Sequence, residues 1–343
     1  MASARKRLLV TGVTGVLGSA FPGLAASYPA YEFVFAERRD LDLTEFPRVV
    51  DFLRRERIDR IVHLAALSGG IEFTLKYPAQ ILRDNILMTL NVLEAARFLK
   101  LDKVVLTLSS GMYPENAPQP YREESIHAGE PHGSNYAYAF AKRMIEPAIK
   151  AYRVQYGLNA IGLVPSGIFG ENDNYNVADG TWIAGLIRRF CEYKPGDGNV
   201  VVWGDGSPLR ELTYSVDMAK AYMWCLDNYE DAQVLNVGST QEYTIKDVAL
   251  TIADIVGVDR ARVSFDTSKS RGMHRRVTDN SRFIKLSGFT FSPLRPCLER
   301  TIAWYRDKLA SDRAAIRTGP RVRAEAPEAT PKAMPSGKRD SIG

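Results

Sequence analysis

Long apolar runs are missing from this chain of 343 residues. No stretch approaches the ~18 consecutive apolar residues that a membrane-spanning helix needs. The start, Met1-Ala2-Ser3-Ala4-Arg5-Lys6-Arg7, leads straight into a candidate strand and has no apolar signal core, so a cytoplasmic protein without membrane attachment is expected. Cysteine is scarce: Cys191, Cys225 and Cys297 are odd in number, widely spaced and without a C-x-x-C pair. That excludes a disulfide framework and a zinc site, and no other metal site is indicated, which leaves reduced core thiols. No internal repeat is visible. A strong excess of one charge is also lacking, since 45 Lys and Arg face 40 Asp and Glu for a net +5. Most of that excess lies from Asp312 onward, so the body of the chain is near balance and a nucleic-acid partner is not expected. The stretch 309–343, rich in Ala, Pro and Arg and without apolar periodicity, reads as a disordered, solvated tail.

What is present is an ordinary globular composition, 45% hydrophobic and 25% charged, in a chain long enough for two cores. Strands and helices alternate: Leu8-Leu9-Val10, a helix near Leu17–Ser27, a strand at Glu32–Phe35, a helix at Glu45–Glu56, and the strand Arg60 to Ala66. A helix at Ala79–Leu99, the strand Lys103–Leu108 and a helix around Tyr138 follow, with Pro147 expected to kink the last. Such alternation implies right-handed βαβ units and an α/β fold of Rossmann type, a doubly wound parallel sheet with ligands at the carboxyl ends of its strands. After Ile161-Gly162-Leu163-Val164 the alternation loosens into a polar loop (170–180), a helix at Trp182–Glu192 and the strand Val200–Trp203. A helix at Thr244–Val256 and a strand at Arg262–Phe265 come later. The expected division is residues 1–164 with about 212–240 for a dinucleotide, and about 165–211 with 241–308 as a smaller α/β substrate-binding lobe.

The loop Gly12-Val13-Thr14-Gly15-Val16-Leu17-Gly18 follows the first strand and precedes a helix, the context in which bare backbone can approach a pyrophosphate. Gly12, Thr14, Gly15, Val16, Leu17 and Gly18 are therefore candidate cofactor contacts. After the second strand stand Glu37, Arg38 and Arg39. Two guanidiniums favour a 2′-phosphate and hence NADPH, while Glu37 leaves NADH open through the ribose hydroxyls. Tyr138 and Lys142 are four residues apart, so on a helix they share a face, and the ammonium is expected to favour the phenolate. That makes the phenol a usable proton donor for carbonyl reduction. Ser109, at a strand end, can hydrogen-bond the same oxygen or merely cap its loop.

Ser109, Tyr138 and Lys142 form a constellation similar to that of the short-chain dehydrogenase/reductase superfamily, and the chain length suits its extended branch, which acts on nucleotide sugars. That likeness also implies cofactor contacts at Asp42, Leu43, Leu64, Ala65, Ala66 and Pro165, with Lys142 on the nicotinamide ribose. Within the branch the chain resembles the GDP-L-fucose synthase family over nearly all of residues 8–308. Matching stretches are Leu64-Ala65-Ala66 with Gly69-Gly70, Leu108-Ser109-Ser110 with Tyr113-Pro114, Pro131-His132-Gly133-Ser134-Asn135 and Phe169-Gly170 with Asp173-Asn174. Val201-Val202-Trp203-Gly204 and Pro208-Leu209-Arg210-Glu211 complete them. The resemblance implies epimerisation at C3 and C5 of GDP-4-keto-6-deoxymannose followed by NADPH reduction at C4, in a homodimer built through two long helices. It also implies that Arg189 and Arg210 grip the diphosphate, that Trp203 lines the nucleotide pocket and that Arg276 touches substrate; Ser110, Gly111, Asn174 and Thr181 would line the sugar site. A solvated helix face remains open for Arg189, and core packing for Trp203.

The chain departs from the family where carbon-acid chemistry is done. Gly111 stands where the family carries a cysteine, and Thr181 where it carries a histidine; neither residue type titrates near neutrality. Gly167 replaces an asparagine after Pro165-Ser166. The expectation is a GDP-4-keto sugar C4-reductase, acting on a hexose or heptose, that leaves C3 and C5 alone. Alternatives are rescue of epimerisation by Glu171, His132 or Tyr113, an NAD-dependent 4-epimerase or dehydratase, and a non-catalytic nucleotide-binding module.

Overall fold

Six parallel strands form the central sheet of the computed structural model, which describes residues 5–176, 180–269 and 273–319. Their spatial order is Tyr31–Ala36, Lys6–Thr11, Arg60–His63, Lys103–Thr107, Ala160–Pro165 and Leu235–Val237. Runs such as Leu8-Leu9-Val10 and Val104-Val105-Leu106 are buried throughout, as parallel strands covered on both faces require. One face packs on the helices Phe46–Arg55 and Pro78–Leu99 through Val49, Phe52, Val92, Leu93 and Ala96. The other packs on Ser215–Asn228 through Met218, Tyr222, Met223 and Leu226. The first strand lies between the second and third, so the winding reverses beside it. A crevice opens at that reversal, between the glycine loop and Leu64-Ala65-Ala66.

Two helices differ from the sequence expectation. The single helix expected over Leu17–Ser27 is three short turns, Gly18–Ala20, Phe21–Leu24 and Ala25–Ser27. Pro22 lacks a donor and Gly23 is a poor helix former, so no long ladder propagates. The helix bearing Tyr138 is divided into Tyr136–Arg143 and Ile145–Tyr156. The break comes earlier than Pro147 itself because proline cannot donate to the carbonyl four residues back, at Arg143.

A second core gathers Phe169, Ile187, Phe190, Ile252, Leu298 and Tyr305 from the helices Trp182–Glu192, Ile245–Val256 and Leu294–Ser311. Val200–Trp203 pairs in parallel with Val263–Asp266, and Leu209–Glu211 lies between Glu242–Thr244 and Arg275–Arg276. Val216 packs against both cores, and nearby Glu211 ties the strand Leu209–Glu211 to Thr278 and Asn280. Its buried carboxylate accepts bonds from Thr278 N at 3.1 Å, Thr278 Oγ1 at 3.0 Å and Asn280 Nδ2 at 3.1 Å, and burial pushes its pKa up to about 7. Gly167 sits directly against it with φ +57°, and a β-carbon there would fall 2.1 Å from the Glu211 carbonyl oxygen. Only glycine fits that approach.

The disorder expected from residue 309 is corrected for 309–319. The last helix runs through Ser311, a turn follows, and Ile316 is buried in the second core. Isolated apolar side chains seven residues apart (Leu309, Ile316) anchor this stretch without any periodic pattern. Residues 320–343 of the expected tail lie outside the described residues, as do 177–179 of the polar loop. The cysteines are free: Cys225 and Cys297 are buried and Cys191 partly so. Among the described residues no helix is long and apolar enough to cross a membrane, and no cluster of His, Cys, Asp and Glu could hold a metal ion.

Candidate active site

The glycine loop forms one wall of a cavity of about 530 Å³. Gly18 packs so close to the loop's start that a β-carbon would lie 2.2 Å from the Gly12 carbonyl oxygen. At Gly15 a β-carbon would meet only that same oxygen, at 3.4 Å, so the backbone there is bare toward the cavity. This is a cradle shaped for a pyrophosphate. Every sequence-predicted cofactor residue lines the cavity except Lys142, from Arg38, Arg39, Asp42 and Leu43 at one end to Ser109, Tyr138 and Pro165 at the other. The two arginines differ. Arg39 pairs with Glu37 at 3.4 Å and Asp40 at 3.8 Å, occupying the acid that would otherwise read ribose hydroxyls. Arg38 lines the cavity and has no ion pair among the described residues.

At the far end the structure brings Ser109 and Tyr138 together. The strand Lys103–Thr107 ends two residues before Ser109, whose Oγ accepts from Gly111 N at 3.1 Å, so it caps its loop as well as facing Tyr138. Burial pushes the Tyr138 phenol up to about 12, and the hydrogen bond with Ser109 pulls it the other way. The expected drop caused by Lys142 is not found. Burial brings the Lys142 ammonium itself down to about 8, its Nζ donates to Thr107 O at 2.8 Å, and it stands 5.9 Å from the Tyr138 ring centroid. Desolvation outweighs the charge that the i, i+4 spacing supplies.

Beneath this trio lies a polar layer that the sequence did not disclose. Thr11 Oγ1 accepts from Leu64 N at 3.1 Å and Ala65 N at 3.2 Å and shares a hydrogen bond with His63 Nδ1, 3.0 Å away. Burial, with the Lys142 charge nearby, lowers the His63 pKa to about 3, so the ring is neutral. These bonds pin the backbone at the carboxyl end of the strand Arg60–His63.

Gly111 and Thr181, where the resemblance implies a cysteine and a histidine, both have defined surroundings. A β-carbon on Gly111 would stand 3.1 Å from Asn135 Nδ2 and 3.2 Å from the Arg276 guanidinium. Thr181 is the N-cap of Trp182–Glu192: its Oγ1 accepts from Ala184 N at 3.3 Å and donates to Asp173 Oδ2 at 2.9 Å. The rescue candidates are engaged elsewhere. Tyr113 is buried and donates to Asn236 Oδ1 at 2.6 Å, burial raising its pKa; Glu171 accepts from Tyr214 at 2.7 Å; His132 Nδ1 accepts from Ser134 N at 3.2 Å. Asp173, not singled out from the sequence, is buried and its pKa is raised to about 6 by desolvation.

The remaining predicted contacts fall in two places. Arg189 lies over the Trp203 ring at 5.1 Å and donates to Val201 O at 2.9 Å, in a second cavity of about 420 Å³. Trp203 is 54% exposed, so core packing does not explain it, and Arg189 is half-buried, not solvated. Arg210 and Arg276 are neighbours across paired strands, and burial with the adjacent charge lowers Arg210 to about 10. Two guanidiniums side by side favour an anion between them. Ser110 and Asn174 line the first cavity.

The sequence profile of the NAD dependent epimerase/dehydratase family matches residues 8–238. The chain is 32% identical over 316 residues to a GDP-L-fucose synthase of Dictyostelium discoideum, covering 91% of this chain and 98% of the relative. It is 33% identical over 306 residues to GDP-L-fucose synthase 1 of Arabidopsis thaliana, covering 89% and 94%. Among solved structures it is similar to a GDP-L-fucose synthetase from Naegleria fowleri bound to NADP, with a TM-score of 0.84, 29% identity, and 90% and 95% coverage.

Proposed function

This chain belongs to the NAD dependent epimerase/dehydratase family and to its GDP-L-fucose synthase relatives, and we propose that it reduces the C4 ketone of a GDP-linked 4-keto sugar without epimerising C3 or C5. It is an NADP-dependent oxidoreductase, and its residues fit that cofactor: the bare backbone at Gly15 for the pyrophosphate and Arg38 for the 2′-phosphate. Bound there, the reduced nicotinamide supplies hydride to the ketone carbon. Tyr138 donates a proton to the carbonyl oxygen, and Ser109 holds that oxygen by its hydroxyl. Lys142, fixed by the Thr107 carbonyl, lowers the cost of the phenolate left behind. Residues 165–211 and 241–308 hold the nucleotide sugar, with Trp203 lining the nucleotide pocket, Arg189 beside it and Arg210 gripping the diphosphate, and Arg276 as a further substrate contact.

The observation that carries the reductase-only reading is the packing around Gly111 and Thr181. Epimerisation beside a ketone needs one group to remove a proton and another to return one on the opposite face. At Gly111 a β-carbon would crowd the side-chain tips of Arg276 and Asn135, and at Thr181 the hydroxyl is spent on Asp173 and Ala184 N. Asp173, buried with a raised pKa beside Thr181, supports the competing bifunctional reading. Turnover of GDP-4-keto-6-deoxymannose with NADPH in D2O separates the two. Consumption of NADPH with no deuterium at C3 or C5 is expected; deuterium there, or GDP-L-fucose as product, rejects the proposal.

The proposal includes a homodimer. Leu87, Leu90 and Phe98 on Pro78–Leu99, with Met144 and Tyr156 beside them, expose apolar surface on the outer helices. Light scattering at working concentration is expected to give twice the chain mass, and a monomer would remove this part.

A further inference from the structure

Beyond its last long helix the chain turns back. Ala315 N donates to Asp312 O at 3.0 Å and Ile316 N to Arg313 O at 3.2 Å, and Ile316 is buried in the second core. The returning segment is then stitched to the loop that carries Asp173 and Asn174. Tyr175 N donates to Arg317 O at 2.8 Å, and Asn176 Nδ2 donates to Thr318 O at 2.7 Å. Tyr175 is itself held against Tyr305 of the preceding helix, ring centroids 4.6 Å apart. The segment is a strap, anchored at both ends.

The strap delivers Arg317 into the dinucleotide cavity, where it shares the wall with Pro165, Gly167, Ile168 and Asn174. The distribution of charge makes this position informative. Of the cations lining that cavity, Arg38 and Arg39 follow the second strand at the adenosine end, and among the described residues Arg317 is the one that comes from another part of the chain. Lys142 does not line the cavity, and its ammonium is committed to the Thr107 carbonyl. The glycine loop contains no cation, and the helix behind it is broken into turns of three and four residues, too short to supply much dipole. A dinucleotide pyrophosphate carries two negative charges, and a planar guanidinium can donate two parallel bonds to it. The loop under the strap abuts the end of the glycine loop, since Ser19 Oγ lies 3.5 Å from Glu171 O. Arg317 also acts on the buried carboxylate of Asp173, which accepts from Asn174 N and Thr181 Oγ1.

We propose that Arg317, carried by this carboxyl-terminal strap, clamps the pyrophosphate of the bound nicotinamide dinucleotide. The inference rests on the NADP(H) reading above and adds a binding residue from outside the glycine loop and the sheet. The strap thereby ties cofactor affinity to the packing of the last helix.

The test is equilibrium binding to the full chain without sugar, followed by tryptophan fluorescence, for wild type, Arg317→Ala, Arg317→Gln and Arg317→Lys. NADPH should bind Arg317→Ala and Arg317→Gln about tenfold or more weakly, with Arg317→Lys recovering part of the loss. Adenosine 2′-phosphate, which lacks the pyrophosphate, should bind all four alike. In the wild type, phenylglyoxal labelling of Arg317 mapped by mass spectrometry should fall when NADPH is present and be unaffected by adenosine 2′-phosphate, a readout that needs no variant to fold. NADPH affinity within twofold of wild type in Arg317→Ala overturns the clamp. So does a parallel loss of adenosine 2′-phosphate, labelling indifferent to NADPH, or a variant whose only defect is a raised KM for the nucleotide sugar. Wild-type protein that binds no NADPH would sink the cofactor reading itself.

Discussion

The guanidinium of Arg276 stands 3.2 Å from where the β-carbon of a residue at 111 would be. A side chain at 111 and the present placement of Arg276 are therefore in competition, although the two lie far apart in sequence. On the proposed reading, a cysteine at 111 and a histidine at 181 would not by themselves bring epimerisation. Gly111→Cys with Thr181→His is expected to give no deuterium incorporation at C3 or C5. It should also lower kcat/KM for reduction by roughly tenfold, since displacement of a substrate-positioning group by under 1 Å costs on this scale. NMR of the product formed in D2O, beside steady-state kinetics, checks both; incorporation in the double variant would show that Arg276 yields freely.

Removing the Tyr138 hydroxyl separates proton donation from cofactor binding. Tyr138→Phe should lower kcat by about 10²–10⁴-fold, the usual contribution of a general acid, while NADPH binds as before. Stopped-flow NADPH oxidation and direct titration give the two numbers. Undiminished turnover would move proton donation to another group.

Cofactor choice should depend on one arginine of the pair. Arg38 lines the cavity while Arg39 is held by Glu37 and Asp40. Arg38→Ala is expected to erode the preference for NADPH over NADH by about tenfold or more, and Arg39→Ala to change it little. Ratios of kcat/KM for the two cofactors decide, and equal effects would show that the ion pairs of Arg39 break on binding.

Glu211 should leave a mark on stability against pH. Its folded pKa, about 7, lies above the ordinary 4.5, so the folded protein holds a proton that the unfolded chain has already released. The favourable contribution is complete below about 4.5 and is lost as the pH rises through about 7. Asp173 titrates in the same sense, and His63, lowered to about 3, in the opposite one, so the wild-type curve alone mixes them. The difference between wild type and Glu211→Gln isolates the residue: relative to the variant, wild type should lose stability from pH 4.5 to 7 in urea unfolding. A flat difference would place the proton elsewhere in the cluster.

Gly167 gives the sharpest packing forecast. Gly167→Asn puts a β-carbon 2.1 Å from a backbone oxygen, and backbone cannot step aside as a flexible side chain can. A loss of about 1–3 kcal/mol or more in unfolding free energy is expected. A variant as stable as wild type would mean that the backbone slides at Glu211.

Local features were legible in the sequence and distant ones were not. The glycine loop and the Tyr138–Lys142 pair are readable because each is fixed by spacing within one element. The sheet strands are readable because both faces are covered and the runs are wholly apolar. Spacing reports proximity, however, and says nothing of desolvation, which is why the shift at Tyr138 has the opposite sign to the one expected. The helix Leu294–Ser311 is charged, with Pro296 near its start, and its buried residues are too sparse to stand out. Arg317 lay in a stretch without pattern, and only the turn after that helix carries it into the cavity. The contact between Arg276 and the space above Gly111 likewise exists only after a separate strand has folded over.

All three thiols sit where burial suppresses the thiolate, with Cys191 and Cys297 raised to about 11, and none lines the cavity that holds Ser109 and Tyr138. At neutral pH the Cys191 and Cys297 side chains are held in the unreactive thiol form. Iodoacetamide and hydrogen peroxide should accordingly pass this catalyst by, and a synthase that depends on a pocket cysteine would be poisoned under the same treatment. With glycine at position 111, the chain offers no thiol there to alkylate or oxidise.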